Sequence, residues 1–438
     1  MFDLPKYGDG PCLARMAALL AALAVDRERL QRISVVVTGS NGKGSTAAFC
    51  ASIARAHGLR TGLFTSPHLF HINERFQVDG VAVADDDLAR LTARIKTSID
   101  EISQRQGGTF GAFEAMFALA CLHFQESGCE FAAFEAGIGG RYDPVRLVGA
   151  RVAGVTSVDY EHVELLGHSL ELIAADKSDA CAALGTIVYG ENCRSLWPHL
   201  VEYNRTRSVT SLFVGDQIAL RGGAIAASGQ RFEFEFGNFR FQSLETSLRG
   251  AFQFNNAAIA VTLFLLWLRD GGAETSPGRI EAAVRSGLRE VRWPGRLEVI
   301  GQDPLTIIDV GHTPDGIRQS LASLKAIYGA EDWILVLGVS FDKKEGEIVA
   351  ALAPSFDTIL CTAAYHKGAN ADAIADAVRQ ANPSAAIHVA ASIEEAVGLS
   401  QSLAASLHRK IYVAGGLFLA IEYLTVARGG RARELKFF

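Results

Sequence analysis

Val35-Val36-Val37-Thr38-Gly39-Ser40-Asn41-Gly42-Lys43-Gly44-Ser45-Thr46 is the stretch whose reading decides the fold. Three β-branched residues in a row make a buried strand, the glycines permit a tight turn, and Ala47 to Gly58 reads as a helix. A strand that delivers a glycine-rich loop to a helix N-terminus is a phosphate cradle. Backbone N–H groups and the positive end of the helix dipole face the anion, and Lys43 adds a full charge. The strict phosphate-loop pattern is not met, because Val37 stands at its first glycine and Gly44 follows Lys43 where Ser or Thr is usual. The stretch reads as a nucleotide-binding variant. A glycine turn with no ligand is the competing reading.

Outward from this loop, strands and helices alternate. Residues 12–32 carry Leu13, Met16, Leu19, Leu20 and Leu23 at helical spacing and read as one helix leading into the first strand. Thr61 to Thr65 reads as a second strand ending in Ser66-Pro67-His68-Leu69. Helices follow over 84–106 and 112–127, and a strand over Glu130–Glu135 runs into Gly137-Ile138-Gly139-Gly140. Another strand, Arg151 to Ser157, precedes Asp159-Tyr160-Glu161-His162. This alternation implies a parallel sheet with helices on both faces. Strict alternation in 231–236 and 239–241 around Gly237-Asn238 signals an antiparallel hairpin appendage. Helices at about 252–270 and 278–289 come next, and Trp293-Pro294-Gly295 breaks the pattern. Beyond Arg296, strands at 305–309, 332–338, 357–361, 386–390 and 410–414 alternate with helices. The fold class is therefore α/β with two doubly wound domains, 1–292 and 296–438.

Composition narrows the function. The 438 residues suffice for two or three cores, and 49% hydrophobic with 21% charged is ordinary for a soluble enzyme. A net charge of −6 with no basic block argues against a nucleic-acid partner. The seven cysteines are dispersed without a C-x-x-C pair, which fits reduced thiols in the cytoplasm and no zinc site. Met1-Phe2-Asp3-Leu4-Pro5-Lys6 shows no charged-then-apolar leader pattern. The longest apolar run, Ala257 to Leu268, is too short to span a bilayer and reads as a buried helix. The expectation is a cytoplasmic monomer acting on small molecules, with no membrane partner.

Several residues are candidates for chemistry. Ser66 stands at a strand's carboxyl end, where ligands bind in open α/β sheets. Ser-Pro alone is commonly just a turn, yet Gly44 leaves the loop without the hydroxyl that reaches Mg²⁺, and Ser66 is a second source. Glu135 and His162, at or just past successive strand ends, read either as ligands of one hard cation or as a turn cap and a surface histidine. Lys177 reads as a solvated helix residue. Asp309 ends a strand beside His312, and Thr313-Pro314 there has the form of a helix N-cap followed by its first residue.

Taken in order, these segments resemble one family, the folylpolyglutamate synthases and dihydrofolate synthases, a branch of the Mur-ligase-like ATP-dependent amide ligases. The resemblance rests on Thr38–Thr46, Phe64–Leu69, Asn73-Glu74-Arg75, Glu135–Arg141, Trp293–Leu297, Asp309, His312-Thr313-Pro314 and Gly415-Gly416-Leu417. It implies a larger P-loop ATPase-like domain, a smaller Rossmann-like domain that carries the amino acid, and catalysis between them. ATP would phosphorylate a carboxylate, and the amine of L-glutamate would attack the acyl phosphate. The implied ATP contacts are Asn41, Gly42, Lys43, Gly44, Ser45, Thr46, Asn256, Arg296 and Asp309. Ser66, Glu135, His162 and a carbamate on Lys177 would hold two Mg²⁺ ions. Phe113, Glu114, Tyr142, Asp143 and His312 would meet the organic substrates, a pteroate or folate and the amino acid. Lys43, Lys177 and His312 are the implied catalytic residues.

The chain departs from the family at Asp143-Pro144-Val145-Arg146, Gly250-Ala251-Phe252-Gln253, Glu161-His162, Asp176-Lys177-Ser178-Asp179 and Asp309-Val310-Gly311. The arginine expected past the strand at 357–361 is replaced, with Lys367 as a substitute. Several changes fall on the organic-substrate side, so two alternatives accompany the folate reading. One is the same ligase chemistry on another carboxylate and amino acid, and the other is a nucleotide-binding homologue without activity.

Overall fold

The computed structural model describes residues 4–226, 229–271, 276–341 and 344–437, so Met1–Asp3, part of the segment read for a leader, lie outside it. Among the described residues the N-terminal sheet comprises β1 (Ser34–Thr38), β2 (Thr61–Phe64), β3 (Phe76–Val78), β4 (Val81–Ala82), β5 (Phe131–Glu135), β6 (Val152–Val155), β7 (Thr186–Tyr189) and β8 (Thr210–Phe213). Their order is β4-β3-β2-β5-β1-β6-β7-β8. Pairing is parallel from β2 to β8, and β3 and β4 add an antiparallel edge. The central strand shows why the run of valines is tolerated. Val36 joins the apolar cluster on one face, while Val35 and Val37 join the cluster on the other. A strand covered on both faces needs no polar alternation.

The phosphate-loop helix Lys43–Ala56 follows β1 and lies almost wholly buried against helices Phe252–Asp270 and Pro277–Glu290. The apolar run read as a buried helix lies within Phe252–Asp270, which is buried nearly all round. Among the described residues no helix is long and apolar enough to cross a membrane. All seven cysteines are buried free thiols.

Three local expectations are corrected. Residues 12–32 form two helices, Leu13–Ala22 and Arg27–Ile33, because Ala24 turns the chain with φ +55° and Asp26 caps the second helix through Arg29 N–H. The hairpin is a three-stranded sheet: β9 (Ile218–Ala226) joins β10 (Gly229–Phe236) and β11 (Phe239–Thr246). Gly222-Gly223 interrupts the alternation of β9, which hides it from a pattern search. The C-terminal sheet has an additional antiparallel edge strand, β12 (Glu298–Gln302). It lies beside β13 (Leu305–Ile308), β17 (Lys410–Ala414), β14 (Trp333–Leu337), β15 (Thr358–Cys361) and β16 (Ala386–Val389), in that spatial order.

This topology positions the site. β2, β5, β1 and β6 are consecutive neighbours, so their carboxyl ends bring Ser66, Glu135, the phosphate loop and segment 159–162 to one edge.

Candidate active site

The phosphate loop is shaped by close approaches. Gly42 sits at φ +87° as the helix N-cap, and a Cβ there would meet Asn256 Oδ1 at 2.5 Å. A Cβ on Gly44 would come within 2.5 Å of Trp293 Cζ2 and 3.3 Å of Glu135 Oε2. The residue that made the motif look defective is therefore small because an indole from the interdomain linker occupies the space. Lys43 Nζ donates to the loop carbonyls of Gly39 (2.8 Å) and Ser40 (3.3 Å). Asn41 receives the Thr313 hydroxyl on its Oδ1 (2.9 Å), a bond from the C-terminal domain to the loop. Asn41 Nδ2 and Thr46 Oγ1 are buried without a protein partner among the described residues. Unpaired buried polar atoms are costly, so this pair suits a loop that takes up an oxygen-rich anion.

Glu135 ends β5 with its side chain buried, and its Oε2 accepts the Ser66 N–H at 2.9 Å. Burial pushes its carboxyl up to about 7, against the pull of Lys43, the Ser66 N–H, Arg296 and Arg75. Arg75 is itself buried, which lowers its guanidinium to about 10, with Glu135 and Glu74 opposing that shift. The loop between Ser66 and Arg75 is held by Glu74, whose carboxylate accepts the N–H groups of Leu69, Phe70 and His71.

Segment 159–162 abuts the phosphate loop, since Asp159 N–H donates to Ser40 Oγ at 2.9 Å. His162 is exposed, with φ +46°, and heads a short helix, Val163–Leu166. Lys177 is corrected from a solvated residue to one of the most buried side chains, 1% exposed, and its Nζ lies 2.6 Å from Glu161 Oε1. Burial pulls the Lys177 ammonium down, with Glu161 opposing. Burial pushes Glu161 up, but Lys177 and Lys43 outweigh it and hold that carboxyl at about 2. No group of three His, Cys, Asp or Glu side chains with metal-binding geometry occurs among the described residues. Mg²⁺ does not need one, because it takes one or two carboxylates and fills its octahedron with water and phosphate oxygens. Glu135 and the Ser66 hydroxyl beside a phosphate loop fit that donor set.

Several residues expected at the substrates or the nucleotide also shape the fold. Asp143 accepts the N–H groups of Gly137, Ile138 and Val145, each at 2.9 Å, so both oxygens are used to shape the glycine turn and cap the short helix Pro144–Val148. Asp176 clamps the same turn from the other side through Gly140 N–H at 2.8 Å. Glu114 is tied bidentately to Arg15, at 2.6 and 2.7 Å. Asp309 accepts from Leu297 N–H, Gly311 N–H and Ser320 Oγ, which fixes the segment that enters the C-terminal domain. Tyr142 is 56% exposed, and Phe113 packs on Phe64 beneath Gly137.

A cavity of about 410 Å³ opens beside the loop, lined by Asn41, Gly42, Ser45, Asn256, Arg296 and, from the C-terminal domain, Gln319 and Ser320. Phe252, Phe254 and Leu220 give it apolar walls. It fits a nucleoside whose phosphates run onto the loop. His312, half-buried with Nδ1 3.3 Å from Val310 O, stands one residue from the Thr313 bond to Asn41. Glu161, Trp293, Asp176 and the His68–Arg75 pair escaped sequence reasoning. Glu161 and Asp176 left a signal as departures from the family pattern, and Trp293, His68 and Arg75 lay inside stretches that matched it without a role assigned.

A phosphate loop facing a second α/β domain across a nucleoside-sized cavity is the arrangement of an ATP-dependent ligase of the Mur type. The Mur ligase middle domain matches residues 37–264, and the Mur ligase glutamate ligase domain matches 295–415. The dihydrofolate synthase/folylpolyglutamate synthase of Bacillus subtilis is 30% identical over 79% of this chain and 80% of its own length. The folylpolyglutamate synthase of Lacticaseibacillus casei is 30% identical over 81% of each. A probable bifunctional folylpolyglutamate synthase/dihydropteroate synthase of Halobacterium salinarum is 31% identical over 97% of this chain. The chain spans about half of that relative's length. The structure of Mycobacterium tuberculosis folylpolyglutamate synthase complexed with ADP and AMPPCP superposes with a TM-score of 0.85 at 25% identity, covering 96% of both chains. The chain belongs to the dihydrofolate synthase/folylpolyglutamate synthase family.

Proposed function

We propose that the chain joins L-glutamate to dihydropteroate or a folate through an acyl phosphate, with cleavage of ATP to ADP and phosphate. The observation that carries this is the single edge formed by Lys43, Ser66, Glu135 and segment 159–162, beside the cavity that holds Asn256 and Arg296. A carboxylate is a poor electrophile because oxide would have to leave. Its oxygen attacks the terminal phosphorus of ATP and ADP departs. The amine then attacks the acyl carbon, phosphate leaves, and the amine loses a proton.

Each residue has a part in that scheme. Lys43 and the helix N-terminus hold the charge of the transferred phosphoryl group, and Arg296 and Asn256 orient the nucleotide. His312 orients the incoming amine. Ser66, Glu135 and His162 would hold Mg²⁺, up to two ions, which would neutralise phosphate charge when bound. Lys177, whose burial favours the neutral amine, is suited to take up carbon dioxide as a carbamate. That anion beside Glu161 would add a second acidic ligand. Phe113 and Tyr142 line the approach of the pterin. The protein works as a cytoplasmic monomer on small molecules, and its two domains divide at residues 293–295.

Phosphate release by purified protein with ATP and Mg²⁺, across a panel of carboxylates and amino acids, tests this. Release that requires both dihydropteroate or a folate and L-glutamate is expected. Turnover of another pair alone would replace the substrate assignment, and no turnover with any pair would leave a nucleotide-binding homologue.

A further inference from the structure

We propose that the backbone segment Lys436–Phe437 is a strap by which the C-terminal domain positions the Ser66–Glu135 pair, acting through His68 and Arg75. The bond itself is geometric, and its catalytic consequence rests on the ligase reading above. His68 is 2% exposed, and its Nε2 lies 2.7 Å from Lys436 O, across 368 residues of sequence. Arg75 Nε donates to His68 Nδ1 at 2.8 Å. A guanidinium has no acceptor, so Nδ1 must accept and Nε2 must carry the hydrogen that goes to Lys436 O. The imidazole is thereby fixed in one tautomer, bridging the strap to Arg75.

Both ends of this bridge are anchored. On the C-terminal side, the Phe437 ring packs edge-to-face on Phe418 (4.8 Å) and on His366 (4.7 Å). His366 Nδ1 is in turn held by the fully buried Glu422 at 2.9 Å. On the N-terminal side, Arg75 lies close enough to Glu135 for their charges to interact. Arg75 O accepts Thr65 N–H at 3.2 Å, next to Ser66, whose own N–H is bonded to Glu135. Leu69 and Phe70 of the same loop pack against the cluster that contains Phe418 and Phe437. The loop that presents Ser66 is thus held by the C-terminal domain as well as by its own sheet. His68 is a positioning residue: its ring carries the strap's contact to a loop that begins two residues earlier, at Ser66.

Three variants of the full chain separate this role from packing. His68→Asn keeps an acceptor for Arg75 but cannot reach Lys436 O. His68→Gln keeps a donor at the position of Nε2. Phe437→Ala loosens the anchor without touching His68. The first readout is hydrogen exchange of the Ser66 amide. Loss of one hydrogen bond corresponds to about threefold to tenfold faster exchange in His68→Asn and Phe437→Ala, with no further gain in the double variant and with a smaller rise in His68→Gln, which keeps the strap bond but gives up the Nδ1 acceptor for Arg75. The second readout is turnover with ATP and the substrate pair, where kcat falls by a similar factor while KM for ATP holds. Unchanged Ser66 exchange in His68→Asn, or additive effects in the double variant, would overturn the strap. Altered exchange with unchanged kcat would overturn its catalytic part alone. A wild-type chain that turns over no folate and glutamate, yet shows the exchange pattern, would sink the substrate reading and leave the strap standing.

Discussion

The contact between Gly44 and Trp293 makes a quantitative prediction about the apparent defect in the phosphate loop. A Cβ on residue 44 would lie 2.5 Å from Trp293 Cζ2, 3.1 Å from Cε2 and 3.3 Å from Glu135 Oε2. Gly44→Ala in an open helix would stabilise the chain by up to about 1 kcal/mol. Here the methyl must displace a half-buried indole or the Glu135 carboxylate, and overpacking of this kind costs about 1–3 kcal/mol. The net expectation is a destabilisation of roughly 1–2 kcal/mol, or a fall of about 2–6 °C in the melting transition of a domain this size. Displacing Trp293 also disturbs Arg296, three residues on, so KM for ATP rises. The decisive comparison is a double-mutant cycle in thermal melting and in ATP KM. In a Trp293→Ala background the obstacle is gone, and Gly44→Ala becomes neutral or stabilising. A coupling of at least about 1 kcal/mol between the two positions follows. Equal effects of Gly44→Ala in both backgrounds would refute the steric account.

Lys177→Ala removes the proposed carbamate and is expected to abolish phosphate release with circular dichroism unchanged. Its stability cost stays at about 1–3 kcal/mol because Glu161 keeps some solvent access, and near-normal turnover would exclude a role for Lys177. Thr313→Val deletes the hydroxyl that bonds Asn41 Oδ1 across the domains and should raise KM for ATP about threefold to tenfold, measured at saturating second substrates. Burial raises the Asp143 carboxyl to about 6, above its ordinary 3.8, despite three backbone donors. The folded chain then binds more protons than the unfolded one between those values, so this residue's contribution is fully present below about pH 4 and is lost as pH rises through 6. The slope amounts to about 3 kcal/mol over that window and should be missing from urea titrations of Asp143→Ala. An identical pH dependence in the two chains would contradict it.

How much of this was legible in the sequence follows from the range of the interactions. The phosphate loop could be read because its strand, turn and helix are contiguous and each residue type has a local physical reason. Ser66 and Glu135 could be placed at one edge because strand ends in a parallel sheet share an edge by topology. The burial of Lys177 could not be read, since its partner Glu161 lies 16 residues away on another loop and the helix around it carries no alternating pattern. Asp143 entered the substrate set only through the family resemblance, and nothing local in the sequence marks its second use in shaping the glycine turn. Only the turn's geometry shows three N–H groups converging on it. β9 and β12 were missed because glycines interrupt their alternation.

The position of the linker gives the two domains a reason to act together. Trp293 packs on Gly44 at the first turn of the phosphate-loop helix, and Arg296 lines the cavity beside the loop three residues later. Asp309 then accepts Leu297 N–H, so the same segment is fixed to the C-terminal sheet. Thr313, four residues past Asp309, reaches back to Asn41 in the loop. The chain therefore crosses between domains while touching the phosphate loop on both sides of that cavity. Any rotation of the C-terminal domain must move the Trp293 ring, the Arg296 side chain or the Asn41–Thr313 bond. A nucleotide that fills the cavity contacts Arg296 and the loop at once, and it favours the arrangement in which all three are in register. The acyl phosphate is short-lived in water, so a ligase gains by completing its site only when both domains are docked. Glycine after Lys43 is the condition for that docking, because any larger residue would hold the linker off the loop.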